Sequence, residues 1–420
     1  LLGDPRLGKD HQLRFLPTRF TVEGHAIDAK GTACHGLACP RCHLSLPWPL
    51  LEQMPLFLSI LGSPASGKSY FLAAMTWQLR RALKEHFHLS FGDADPSSNF
   101  ILNEYEELLF LNPAPDDLVA ISKTELQGAL YDNVKMNDQD VTYPRPFVFS
   151  LKPLPGHVNL QNSERVSRTV CLYDNAGEHF QPGQDTARQP GTRHLALSRA
   201  LLFLFDPTQD PRFRKACEGR TNDPQMQGKS RTYRQETVLS EAADRVRRHS
   251  GIAPGAKHNR PLIVVVTKYD SWSLLLDRDR LGMDQVLRES RAPHRALDVD
   301  AIARVSAQVR AMLEEIAPEI VVAAEGFSQR VIYLPVSALG GPPVAHPETG
   351  GLCIRPRDIH PLWVEIPIIY SLLLTVPGLI PYTRHAANHP DGSLVARFGD
   401  PSAPPDRGVA ALKLWKDTGT

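Results

Sequence analysis

Beyond Pro55 the chain carries short, nearly unbroken apolar runs spaced by longer mixed segments. LFLSIL (56–61), RTVCLYD (168–174), ALLFLFD (200–206), PLIVVVTKYD (261–270) and VIYLPVSAL (331–339) lack the alternation of a half-exposed strand, so they predict strands buried on both faces. HFHLSF and PFVFSL add two shorter strands. Between them, SYFLAAMTWQLRRALKEH places Leu72, Met75, Leu79 and Leu83 on one stripe and predicts an amphipathic helix. Further helices are expected over Ile101–Leu111, Glu236–Arg248, a charged region near 285–317, and the apolar run Ile366–Leu374. That last run is short for a bilayer, so it reads as a buried helix, with a membrane-facing or partner-facing helix as the alternative. Strands alternating with helices predict an α/β three-layer sandwich with a mostly parallel sheet.

Residues 1–52 break this pattern, being rich in His, Gly, Pro and Cys with little periodicity, and read as a small attached module. A main domain over 53–378 follows, with insertions expected at about 89–165 and at the polar stretch 208–235, and then an extension over 379–420. The 36 prolines among 420 residues cluster between the apolar runs, as long ordered loops require. Nothing in the formal charge of +1 argues for wholesale binding to nucleic acid or an acidic membrane. Six cysteines without regular spacing do not make a disulfide scaffold, and no signal-type apolar stretch is evident, so a cytoplasmic location is expected.

The candidate chemistry sits where the apolar runs end. Gly62-Ser63-Pro64-Ala65-Ser66-Gly67-Lys68-Ser69 has the GxxxxGK[ST] form between a strand and a helix, with Tyr70 next. Such a loop wraps backbone N–H groups around phosphate at a helix N-terminus, places the Lys68 ammonium over the terminal phosphates and gives the Ser69 hydroxyl to Mg²⁺. Asp174-Asn175-Ala176-Gly177-Glu178 has the DxxG form, in which Asp174 holds Mg²⁺ through its water shell and the Gly177 N–H senses the γ-phosphate. Thr267-Lys268-Tyr269-Asp270 supplies a carboxylate able to accept from both N1–H and N2–H₂ of guanine, an arrangement adenine does not offer, while the Lys268 stem covers the base plane. Ser337-Ala338-Leu339 ends the last strand, where the Ala338 N–H would meet guanine O6 and Ser337 would brace the loop.

Taken in order, these four segments resemble those of the Ras-like, translation-factor-related P-loop GTPases. With the CPRCH segment (39–43) ahead of them, they are also similar to the bacterial double-GTPase families associated with conflict or defence systems. The resemblance extends over about residues 35–376. It implies a Mg²⁺-dependent GTPase that cycles between GTP and GDP, with a protein effector or a partner GTPase subunit. A GTP-sensing regulatory or scaffold protein with little hydrolysis is the alternative. Two positions depart from the pattern: Thr267 stands where Asn is usual, and Glu178 where active members often carry Gln. The negative charge of Glu178 either positions water or is repelled by the γ-phosphate. The resemblance also implies a switch threonine at Mg²⁺; Thr124 is the candidate, and capping a short helix at Glu125 is its competing role. Arg188 and Arg193 are either charge-neutralising groups or surface residues.

In the first module Cys39 and Cys42 have the spacing of a zinc knuckle, and Cys34 and His35 add nearby ligands. A structural Zn²⁺ in a zinc-ribbon-like fold is expected, with inert or redox-active thiols as the alternative.

Overall fold

The computed structural model describes residues 15–40, 44–121, 131–136, 139–175, 177–180, 193–227, 234–253, 255–276, 286–289, 295–384 and 396–399. Seven strands form the central sheet: β1 (Met54–Gly62), β2 (Leu89–Asp93), β3 (Phe147–Pro153), β4 (Arg168–Asp174), β5 (Ala200–Phe205), β6 (His258–Val266) and β7 (Ser328–Pro335). Their spatial order is β7-β6-β5-β1-β4-β3-β2. Four of the six neighbouring pairs are parallel, and the two made by β3 are antiparallel, so the sheet is mixed. The antiparallel strand arises inside the stretch 89–165, which supplies β2, β3 and a separate hairpin of Tyr131–Met136 with Gln139–Pro144. Antiparallel neighbours need no crossover of fixed hand, so the long segment between β2 and β3 can carry α2 and the hairpin before the chain returns.

Every residue of β5 is buried, as are the last six of β6, which requires cover on both faces. That cover comes from α1 (Lys68–Phe87), α2 (Pro96–Phe110), α3 (Gln235–Ser250), α4 (Val299–Ile316), α5 (Pro318–Phe327) and α6 (Ile366–Thr375). Leu72, Met75, Leu79 and Leu83, the stripe on α1, are all fully buried. Helix α6 is buried from Ile366 to Leu373 and packs on β5 and β6. Among the described residues no helix is long and apolar enough to cross a membrane. The charged region near 285–317 resolves into the strands Leu287–Glu289 and Arg295–Asp298 followed by α4, because the Asp298 side chain accepts from the Ala301 N–H at 2.9 Å and caps the helix there.

The first module departs from expectation. Its described residues form two small ladders, Ala26–Ile27 with Ala33–Cys34 and Leu37–Ala38 with Ser45–Leu46, and show no distinct zinc ribbon. Among the described residues no three His, Cys, Asp or Glu side chains gather around a metal position. Cys34 instead donates to the Thr32 carbonyl at 3.7 Å, and the His35 ring meets the His25 ring edge-on at 4.1 Å. The Cys39 N–H donates to the Leu44 carbonyl at 2.8 Å, and Cys42 lies outside the described residues.

Candidate functional site

Strand register brings the separated motifs to one edge. Ile60 pairs with Asp174, Gly62 with Leu204, Phe205 with Val266, and Val266 with Pro335. The chain therefore leaves β4, β1, β5, β6 and β7 side by side at Asp174, Gly62, Asp206, Thr267 and Val336-Ser337. Parallel strands share the direction of their carboxyl ends, so the loops that follow them form a common rim.

The loop after β1 is held tightly. A Cβ on Gly62 would lie 2.9 Å from both the Leu204 carbonyl and Ser66 Oγ. Ala65 (φ 59°) and Gly67 (φ 83°) are left-handed, which turns successive backbone N–H groups to one side before α1 begins. The first N–H groups of α1 have no partner within the helix, so its positive end opens onto the rim. Lys68 Nζ donates to the Gly62 carbonyl at 3.1 Å and to the Ser63 carbonyl at 2.8 Å, curling over the loop. Ser66 Oγ is buried with no hydrogen-bond partner among the described residues.

The DNAG turn abuts this loop. Asn175 donates to the Ile60 carbonyl from its backbone N at 3.2 Å and from Nδ2 at 3.0 Å, fixing the turn to β1. A Cβ on Gly177 would lie 2.5 Å from the Gly62 carbonyl oxygen and 2.7 Å from Pro64 N and Cδ. Only a glycine permits that approach. Glu178 lies in the short 3₁₀ turn Gly177–Phe180, while its side chain, Thr124, Arg188 and the Arg193 side chain are outside the described residues.

On the other side, Thr267 faces the sheet: its N–H and Oγ1 both donate to the Phe205 carbonyl, at 2.9 and 3.1 Å. It does not reach the loop after β1, because a threonine hydroxyl so close to the main chain takes the nearest carbonyl. Lys268 is left-handed (φ 55°), and its Cε would be 3.8 Å from a Cβ on Gly67, so its stem passes over the loop after β1. Tyr269 N donates to the Val336 carbonyl at 2.9 Å and joins the two final loops. Ser337 Oγ donates to Asp270 Oδ1 in a short hydrogen bond and accepts from the Gly340 N–H at 2.7 Å. Burial raises the Asp270 carboxyl above the ordinary carboxylate range, against the lowering effect of the Ser337 bond.

These loops enclose a cavity of about 310 Å³. Ser66, Gly67, Lys68, Ser69 and Tyr70 line it from one side, and Asp174 from another. Thr267, Lys268 and Asp270, with Ser337, Ala338 and Leu339, line the side beyond β6 and β7. Gly62 and Gly177 sit behind the lining and set its shape.

Part of the site is not visible as a motif. Ile121, Tyr131 and Leu352–Ile354 close the outer wall. Tyr70 Oη accepts from the Ile121 N–H at 2.9 Å, and Val119 and Ile354 exchange backbone hydrogen bonds of 2.9 Å. Asp206, Thr208, Gln209 and Gln235 brace the rim from inside. Asp206 carried one signal, since ALLFLFD ends in aspartate as RTVCLYD does. The polar stretch after it, expected as an insertion, buries Thr208, Gln209 and Asp210, whose polar groups bond within the protein.

No family model matches the chain. It is 27% identical over 170 residues to the "Putative ESX-1 scaffolding and assembly protein SaeC" of Mycolicibacterium smegmatis, a match that covers 40% of this chain and 37% of that protein. The chain thus spans little more than a third of that relative's length. Among solved structures it is similar to Era in complex with MgGDPNP and 16S ribosomal RNA nucleotides, at 14% identity and TM-score 0.23, covering 69% of this chain and 53% of Era. The elongation factor SelB of Methanococcus maripaludis with the GTP analogue GPPNHP gives 11% identity and TM-score 0.20, covering 68% and 30%. The GTP-bound GTPase-like domain of Ski7 from S. cerevisiae gives 13% and 0.22, covering 69% and 44%. These likenesses are weak and of low identity, and none of these proteins is named for a defence system. The α/β architecture described above rests on strand order and register.

Proposed function

We propose that the chain binds a guanine nucleotide with Mg²⁺ and hydrolyses GTP. The observation that carries this reading is the register that sets GSPASGKS, DNAG, TKYD and SAL at the ends of four of five side-by-side strands, at one cavity. The residues present suit the ligand. A left-handed nest precedes α1, the buried Ser66 hydroxyl beneath it has no partner among the described residues, and a glycine is pressed against the loop. Ser69 and Asp174, with Thr124 from the switch segment, would hold Mg²⁺, which when bound neutralises charge on the β- and γ-phosphates. Lys68 would exchange its two carbonyl partners for phosphate oxygens. Asp270 would accept from guanine N1–H and N2–H₂, Ala338 N–H would donate to O6, and Thr267 and Ser337 would hold their loops in register. In hydrolysis a water oxygen bonds to the γ-phosphorus as the bond to the β–γ bridging oxygen breaks, leaving phosphate and GDP. Glu178 is the residue proposed to position that water. Loss of the γ-phosphate would release Gly177 from the loop and signal to a protein effector or partner GTPase subunit.

Binding of GTP, GDP and ATP, each with Mg²⁺, measured beside phosphate release tests this directly. GTP should outcompete ATP, and Lys68→Ala should weaken GTP about 100-fold by removing charge-assisted bonds. A folded Lys68→Ala protein with wild-type GTP affinity refutes the site.

A second reading is a GTP-sensing scaffold with little hydrolysis, favoured by Glu178 at the water-positioning place and by the scaffolding name of the M. smegmatis relative. Tight GTP binding without phosphate release would select it. Zinc in the first module is proposed only through Cys39 and Cys42, joined by Cys34 and His35 if those side chains turn toward a metal. Elemental analysis decides it.

A further inference from the structure

We propose that Gln209 and Gln235 are positioning residues that lock the phosphate loop to the base-side strand ends, so that the two halves of the site move as one unit. The proposal rests on the nucleotide reading above.

Both amides are almost fully buried, with Gln235 2% and Gln209 5% exposed, between the loop after β1 and the end of β5. Gln235, the first residue of α3, accepts from the Asp206 N–H at 2.8 Å and donates to the Asp206 carbonyl at 2.8 Å. Those backbone groups dictate which end of the amide is which. Gln209 Nε2 donates to the Pro64 carbonyl at 2.9 Å, which fixes its orientation too. Both amide oxygens therefore face Ser63, whose hydroxyl lies 2.7 Å from Gln209 Oε1 and 3.3 Å from Gln235 Oε1 and must donate.

The chain of bonds continues through Asp206. Its Oδ2 pairs with Lys268 Nζ at 2.7 Å, while its Oδ1 accepts from Thr208 N and Oγ1 at 2.9 and 2.7 Å. Pro64, Gln209, Ser63, Gln235, Asp206 and Lys268 thus form one continuous path from the phosphate loop to the base-reading segment. Buried amides are costly unless every polar atom is bonded, and a leucine would fill the same volume without that demand. What the amides add is direction. They hold the Ser63 hydroxyl and the Pro64 carbonyl, in the same two residues whose Ser63 carbonyl receives Lys68 and whose Pro64 ring meets Gly177.

Gln209→Leu tests this while leaving the Asp206 backbone bonds intact, and Gln209→Asn, which keeps both an acceptor and a donor on a shorter arm, is the conservative control. Hydrogen exchange over residues 62–68 of the nucleotide-free protein should quicken at least tenfold in Gln209→Leu and less in Gln209→Asn. GTP affinity with Mg²⁺ should fall about tenfold while the melting temperature changes by only a few degrees. In a cycle with Lys268→Met, the second substitution should weaken GTP at least threefold less in the Gln209→Leu background than in wild type. Unchanged exchange and GTP affinity in folded Gln209→Leu, or strictly additive effects in the cycle, would overturn the coupling. Failure of the wild-type protein to bind GTP refutes the nucleotide reading instead, and the exchange measurement still decides whether the amides hold the loop.

Discussion

Lys268 Nζ lies 2.7 Å from Asp206 Oδ2, and Asp206 is fully buried while the Lys268 side chain is 20% exposed. The residue expected to cover a base is thus anchored to the end of the neighbouring strand, 62 residues earlier. Removing the ammonium leaves a buried carboxylate held, among the described residues, by the Thr208 bonds. Lys268→Met should therefore cost about 2–3 kcal/mol of stability, toward the low end for a broken buried pair because one partner meets solvent. Urea denaturation measures it. Adding Asp206→Asn should recover most of the loss, and a double variant no more stable than Lys268→Met would disprove the pairing.

Gly177→Ala should be poorly tolerated for a reason unrelated to glycine flexibility. The new methyl would lie 2.5 Å from the Gly62 carbonyl oxygen, a backbone atom with no rotamer to yield. Displacing that backbone should cost about 1–3 kcal/mol, as other overpacking does, and GTP affinity should drop with it. A variant that matches wild type in melting temperature and in GTP affinity would show that the turn and loop are not in contact.

Asp270→Asn addresses base identity. The substitution replaces one carboxylate oxygen with an amide donor, so GTP should lose about 2–4 kcal/mol as charge-assisted bonds disappear. Xanthine presents an oxygen where guanine has its N2 amine, and the new amide can donate to it. Competition among GTP, XTP and ATP should therefore shift toward XTP, and an unaltered preference for GTP means that the carboxylate does not read the base.

The same carboxylate sets an acid limit. Burial raises its pKa, so it takes up a proton at a higher pH than an ordinary aspartate, whose value is 3.8. Only the ionised form accepts two guanine donors, so GTP affinity should fall as pH drops through the raised pKa. The effect on the fold alone has the opposite sign. Because the folded state favours the protonated acid, the stability this group contributes is greatest at low pH and is lost as pH rises through the raised value. Titration calorimetry from pH 7.5 to 4.5 should show GTP weakening, with Asp270→Asn flattening the profile.

The sequence by itself determined the features that are local. Glycine and lysine before a helix, DxxG and TKYD each demand residue types at fixed short spacing, because a turn after a buried strand must satisfy its own backbone. The α1 stripe of Leu72, Met75, Leu79 and Leu83 was legible for the same reason, one helical period fixing one buried face. Tertiary structure decided which strand ends are neighbours. Register alone brings Asp206 between Gly62 and Thr267, turns Thr267 toward Phe205, and gathers Gln209 and Gln235 beneath Ser63 from 146 and 172 residues away. Bonds between residues so far apart leave no periodicity and no spacing to read. The cysteines show the limit from the other side: a CxxC spacing sets two ligands, while a closed metal site needs the chain to return with two more, which the described part of the module does not do.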